Sequence, residues 1–116
     1  RNITAKKEEK STGIVSDAKI YIDNNYDKDI SLDDVSRNVD VSPYYFTRLF
    51  KEETGLTFLE YLTNIRIEKA KKMLSDSELS MKEICAAVGY SDPNYFSRIF
   101  KKNVGVTPTE YKSDRI

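Results

Sequence analysis

Residues 95–111 read YFSRIFKKNVGVTPTEY, and residues 45–61 read YFTRLFKEETGLTFLEY. Set at an offset of 50, they share Tyr45/Tyr95, Phe46/Phe96, Arg48/Arg98, Phe50/Phe100, Lys51/Lys101, Gly55/Gly105, Thr57/Thr107, Glu60/Glu110 and Tyr61/Tyr111, nine identities in seventeen positions. Thr47/Ser97, Leu49/Ile99 and Leu56/Val106 differ conservatively, so chance is a poor explanation. Upstream, an offset of 49 pairs Ser31 with Ser80, Val35 with Ile84 and Val39 with Val88, which leaves one extra residue in one unit's turn. Two copies do not make a solenoid, which needs about three or more repeats to bury a continuous core.

Each unit reads as two helices around a short turn. Ser31 with Asp34, and Ser80 with Glu83, have the spacing of a capping box, in which a side-chain oxygen accepts a free backbone donor at the helix start. The first unit then presents Leu32, Val35 and Val39 at helical spacing, and the second presents Ile84, Cys85 and Val88, with Gly89 at the turn. Ser42 before Pro43, and Asp92 before Pro93, open the second helix of each unit, since proline at the first helical position sacrifices no needed hydrogen bond. These helices are expected over about 43–54 and 93–103, and Gly55 and Gly105 supply left-handed residues to end them. Helices of roughly eight and twelve residues around a three- or four-residue turn make the helix-turn-helix pattern, here twice.

Thr57 and Glu60 cap a longer helix expected over 57–75, with Phe58, Leu62, Ile65, Ala70 and Met73 as inward positions. Eighteen residues span roughly 27 Å, comparable with the separation of about 34 Å between adjacent major-groove turns on one face of a duplex. Ile14, Val15, Ala18, Tyr21, Ile22 and Tyr26 predict a preceding amphipathic helix, and Thr107, Pro108 and Glu110 cap a short final one. The expected organisation is all-α: a polar lead-in or linker at 1–12, a first helix-turn-helix subdomain at 13–56, the linker helix at 57–75 and a second subdomain at 76–116.

With 116 residues, 39% hydrophobic and 33% charged, the chain can build one domain or two very small ones, and no run approaches a membrane span. Histidine is absent and cysteine occurs once, which removes the usual transition-metal ligand sets, a Ser-His-Asp triad and a Cys-His dyad. Asp33, Asp34 and the other acids look like caps and solvated faces. The expectation is binding rather than catalysis, with no cofactor and no metal. A lone cysteine fits a reducing compartment, with cytoplasm as the default. The chain starts at Arg1, and its opening to Ser11 lacks the apolar core of a signal peptide, so it reads as a fragment of a longer protein.

In the second helix of each unit, Phe46, Leu49 and Phe50, and equally Phe96, Ile99 and Phe100, form the inward stripe. The opposite stripe is Tyr44, Thr47, Arg48 and Lys51 in the first unit and Asn94, Ser97, Arg98 and Lys101 in the second. Guanidinium and amide groups match paired acceptors and donors on base edges, small hydroxyls allow close approach, and lysines meet phosphates. Arg48 and Arg98 are the leading base or phosphate contacts; otherwise they are solvated arginines paired with an acid such as Glu52. Tyr44 either stacks on a sugar or thymine methyl or packs half-buried on the preceding helix. Packing is favoured for Tyr45 and Tyr95, Cys85 reads as a small buried hydrophobe, and Tyr61 and Tyr111 read as core-sealing residues. Nineteen basic residues balance nineteen acidic ones overall. Locally, the stretches Arg66 to Lys72 and Asp92 to Gly105 are basic, whereas the first reading helix offsets Arg48 and Lys51 with Glu52 and Glu53. Electrostatic affinity should be modest and carried mainly by the second unit.

The stretch 89–111, GYSDPNYFSRIFKKNVGVTPTEY, joins a glycine-aromatic turn, a Phe-x-Arg-x-Phe-Lys core and a Gly-x-Thr-Pro-x-Glu-Tyr ending. It resembles the signature of the DNA-binding domain of AraC/XylS-type bacterial transcription regulators, and the resemblance covers about Ile14 to Lys112. It implies seven helices, two homeodomain-like helix-turn-helix subdomains joined by a linker helix, and recognition helices in successive major grooves of promoter DNA. Base-reading positions carry over onto Tyr44, Thr47 and Arg48, and onto Asn94, Tyr95 and Arg98; Pro93 stands where some members carry a polar contact residue. The start of the domain is similar to output domains of AraC-type two-component response regulators, although sugar-sensing one-component members end in the same domain. The resemblance further implies RNA polymerase as a partner and dimerisation through an N-terminal region outside this chain. The rival reading is a helical module that binds a protein through the same surface.

Overall fold

Seven α-helices follow one another in the computed structural model, which describes the backbone of residues 2–114 and the side chains of residues 13–113. They are α1 (Asn2–Asn25), α2 (Leu32–Asn38), α3 (Pro43–Thr54), α4 (Phe58–Asp76), α5 (Met81–Ala87), α6 (Pro93–Val104) and α7 (Pro108–Asp114). Among the described residues there is no strand, and no helix is long and apolar enough to cross a membrane. Side chains of the polar stretch at 1–12 lie outside the described residues.

Four helices start on reciprocal capping boxes. Ser31 Oγ accepts the Asp34 N–H at 3.1 Å while Asp34 Oδ2 accepts the Ser31 N–H at 2.9 Å. The same exchange joins Thr57 to Glu60, Ser80 to Glu83 and Thr107 to Glu110. Each pair satisfies donors that the helix leaves open. All four carboxyls are held below their ordinary range, chiefly by the backbone N–H each accepts from its capping residue. A depressed folded-state pKa contributes stability above the unfolded pKa that is lost as pH falls through the folded one. Lowering the pH from about 6 to about 3 should therefore lower the melting temperature progressively in circular dichroism. Replacing Asp34 by Asn and the three glutamates by Gln should flatten that dependence; an unchanged slope would locate the acid sensitivity elsewhere.

Both helix-turn-helix turns are Schellman motifs. After α2, the Asp40 N–H donates to Arg37 O and the Val41 N–H to Ser36 O; after α5, Gly89 and Tyr90 donate to Ala86 O and Cys85 O. The motif needs a left-handed residue at the first position past the cap, and the chain supplies Asp40 (φ 60) in one unit and Gly89 (φ 101) in the other.

The chain divides into two compact units, one made of residues up to 25 with 30–62, the other of 26–29 with the chain from 63 onward. The helix expected as a linker gives its first turn to the first unit and the remainder to the second. In the first unit Ile14, Val15, Ala18 and Ile22 of α1 are buried with Val35, Phe46, Leu49, Phe50 and Leu62, and Phe50 meets Tyr61 edge-on at 5.3 Å. In the second, Ile67, Ala70 and Leu74 of α4 cluster with Ile84, Cys85, Val88, Phe96 and Phe100, and Tyr111 packs against them. Each fully buried phenylalanine contributes about 1.5–3 kcal/mol relative to exposure. Ile65 and Met73 are half-buried, with Ile67 and Leu74 taking the inward places. Tyr26 lies beyond the end of α1 and packs in the second unit.

The basic stretch from Arg66 to Lys72 is engaged inside the second unit. Arg66 is 9% exposed; its Nε donates to Tyr26 O at 2.7 Å, its Nη2 donates to Lys28 O at 2.9 Å, and its guanidinium lies 5.0 Å from the Tyr90 ring centre. Lys69 lies over the Tyr26 ring, Lys71 pairs with Glu68 and Lys72 with Asp76. The charge asymmetry read there from sequence is therefore met largely within the fold.

Candidate nucleic-acid interface

Helices α3 and α6 are fixed at both ends and along one side. Ser42 Oγ accepts the Tyr45 N–H at 3.1 Å and Pro43 occupies the first helical position of α3; Asp92 Oδ1 accepts the Asn94 N–H at 2.9 Å and Pro93 does the same for α6. Gly55 (φ 80) and Gly105 (φ 100) end them, donating to Lys51 O and Lys101 O. Phe46, Phe50, Phe96 and Phe100 are fully buried on the inner side. A helix held this way can rotate little about its axis, so its outer stripe is a defined surface.

That stripe is exposed in both units. On α3, Tyr44 is 76% exposed, and Thr47, Arg48 and Lys51 are exposed. On α6, Asn94, Arg98 and Lys101 are exposed and Ser97 is half-buried. The packed alternative for Tyr44 does not hold. Nor does packing dominate at Tyr95, which is 45% exposed although its ring meets Tyr90 edge-on at 5.8 Å. Tyr90 stands at the offset of 49 from Val41 of the first unit, and with its ring alongside, Tyr95 is both anchored and accessible. Tyr45 is half-buried.

The electrostatics of the two stripes differ. Arg48 Nε lies 3.7 Å from Glu52 Oε2, both side chains being well exposed, so the pairing alternative for Arg48 is realised on the surface. Among the described residues no ion pair engages Arg98. Glu60 feels the charge of Lys51, and Glu110 that of Lys101. Burial pushes the Tyr90 phenol up despite the nearby Arg66 guanidinium. Burial, with the Asp92 charge, also pushes the Cys85 thiol up, and its Sγ donates to Tyr90 O at 3.3 Å. Cys85 is thus a packed thiol rather than a nucleophile. Among the described residues no group of three or more Cys, Asp or Glu could hold a metal ion.

A helix-turn-helix domain family matches residues 35–114. The C-terminal domain of AraT, a response regulator from Geobacillus stearothermophilus, is 41% identical and superposes with a TM-score of 0.86 over 89% of this chain and 86% of that one. The chain belongs to the AraC-type helix-turn-helix family. The C-terminal domain of the two-component response regulator yesN from Fusobacterium nucleatum is 36% identical, with a TM-score of 0.79 over 82% of this AraC-type chain and 93% of the other. The lactose operon transcription activator of Staphylococcus xylosus is 36% identical over 73 residues, 63% of this chain and 26% of that protein. The chain thus spans about a quarter of that regulator's length.

The sequence reading missed two features of this AraC-type fold. Arg66 gave no signal, because a lone arginine in a basic run looks solvated. Asp40 could have been found, since it aligns with Gly89 at the offset of 49 and so inherits the demand for a left-handed residue.

Proposed function

We propose that the chain is the DNA-binding module of a bacterial transcription regulator and reads duplex DNA in the major groove with α3 and α6. Each unit carries an exposed stripe of guanidinium, lysine and small polar or aromatic side chains on a helix whose other side is locked in an aromatic core. This observation carries the reading, and membership of the AraC-type family supports it. Tyr44, Thr47, Arg48, Asn94, Tyr95 and Arg98 approach bases, and Lys51, Ser97 and Lys101 approach the sugar-phosphate backbone. The function is binding, not catalysis. It operates in the cytoplasm on promoter DNA, with RNA polymerase as the protein partner and with signals for phosphorylation or dimerisation coming from a region outside this chain. The likeness to response-regulator output domains supports that last part.

Selection from a pool of randomised duplexes at about 50 and 200 mM salt tests the reading, because phosphate-dominated binding weakens steeply over that range. Enrichment of two short motifs is expected. Arg98→Ala should weaken the selected duplex by about 1–3 kcal/mol and relax one base position. No enrichment at low salt would favour the protein-interaction module.

A further inference from the structure

The repeat breaks where the electrostatics matter most. Glu52 and Glu53 of α3 stand at the offset of 50 from Lys102 and Asn103 of α6. The α3 segment Pro43–Thr54 therefore carries two basic and two acidic residues, whereas Pro93–Val104 carries three basic and none acidic. The break falls one helical turn past the reading arginine, where a side chain at i+4 shares its face. In the first unit the acid reaches it, with Glu52 Oε2 3.7 Å from Arg48 Nε. In the second, a lysine occupies the corresponding place.

Resting on the DNA-binding reading, we infer that Glu52 is a positioning residue that makes Arg48 a base reader, so that the first unit discriminates with little phosphate attraction while the second, which also reads bases, supplies most of that attraction. A guanidinium presents two edges, one formed by Nε with one terminal nitrogen and one formed by both terminal nitrogens. Glu52 faces the Nε side and leaves the terminal edge for a bidentate contact with the O6 and N7 acceptors of guanine. The Arg48–Glu52 pair has no net charge, so its pull on a phosphate is small, and the carboxylate repels a phosphate that approaches. A neutral guanine edge suffers no such repulsion. Because the pair is exposed and stabilises the helix little, the acid acts on ligand choice rather than on folding. Helix α6 carries no acid, so Lys101 and Lys102 attract phosphates of any sequence beside the base-reading Arg98.

Glu52→Gln tests this, since glutamine is isosteric, helix-compatible and placed at a well-exposed site. Fluorescence anisotropy would follow three duplexes through a salt series: the selected one, the same duplex with the Arg48-dependent guanine replaced, and an unrelated one. That guanine is the base whose preference is lost in Arg48→Ala. The Gln variant is expected to bind the unrelated duplex roughly three- to tenfold more tightly, with a salt slope steeper by about 0.9, the value of one added phosphate contact. Preference for the guanine should fall about fivefold, within the range that one bidentate contact supplies. Tighter binding to all three duplexes with guanine preference intact would overturn the positioning role and reduce Glu52 to a general repulsion. Absence of binding by the unsubstituted chain to every duplex would instead overturn the DNA-binding reading, and this inference with it.

Discussion

Replacing Arg66 by alanine should destabilise the second unit by about 3 kcal/mol, since hydrogen bonds to a charged group contribute roughly 1.5–3 kcal/mol each and orphaned acceptors cost more. Two carbonyls, Tyr26 O and Lys28 O, receive its Nε and Nη2 at 2.7 and 2.9 Å, and the segment 26–29 that carries them belongs to this unit by its packing. The guanidinium also covers the Tyr90 ring, so truncation removes packing as well as charge. Lysine should rescue poorly, because a single ammonium cannot serve two carbonyls in the planar fork that arginine offers. The check is urea unfolding followed by circular dichroism, with the midpoint read for wild type, Arg66→Ala and Arg66→Lys. A loss below about 1 kcal/mol for alanine would mean that water satisfies the carbonyls and that the arginine is dispensable.

Arg66 also shows where sequence reading stops. The seven helices, their caps and the two recognition helices follow from signals that are local in sequence: Ser-x-x-Asp and Ser-x-x-Glu boxes, Ser-Pro and Asp-Pro starts, glycine ends and apolar spacing. The expected 43–54 matches α3, and 93–103 falls one residue short of α6 at Val104. The aromatic stripe was legible because Phe46, Phe50, Phe96 and Phe100 recur at i and i+4 in both units. What stayed hidden depends on partners far along the chain. Arg66 meets carbonyls 38 and 40 residues away, and no periodicity encodes that. Packing is the expectation for Tyr95 because it sits near the core boundary, yet burial at such a boundary depends on the turn before the helix, where Tyr90 takes the place that Val41 has in the first unit. The division of α4 at Leu62 and Thr63 is equally invisible, since a continuous helix carries one capping signal at its start and none at the point where its packing partners change.

Gly89→Ala is the second substitution expected to act strongly, costing the second unit about 4 kcal/mol. Part of that is conformational: φ is 101°, and an L residue in left-handed backbone costs roughly 1–2 kcal/mol. The remainder is steric. A Cβ on Gly89 would stand 2.7 Å from Tyr26 O and 2.9 Å from Arg66 Nε and Nη2. The carbonyl is backbone, and the arginine is held at both nitrogens, so neither yields cheaply. The first unit separates the two contributions, because Asp40 fills the same Schellman position at φ 60. Asp40→Gly should be neutral or stabilising by up to about 1 kcal/mol, since it relieves the left-handed cost and incurs only the entropy of glycine. Urea unfolding of Gly89→Ala, Arg66→Ala and the double variant then distinguishes strain from collision. If the collision is real, the double variant should cost less than the sum of the single ones by about 1 kcal/mol or more, the coupling expected between groups in direct contact. Strict additivity, or a cost for Gly89→Ala no larger than the left-handed term, would mean that the turn shifts to admit the methyl group and that Gly89 is required for its backbone angle alone.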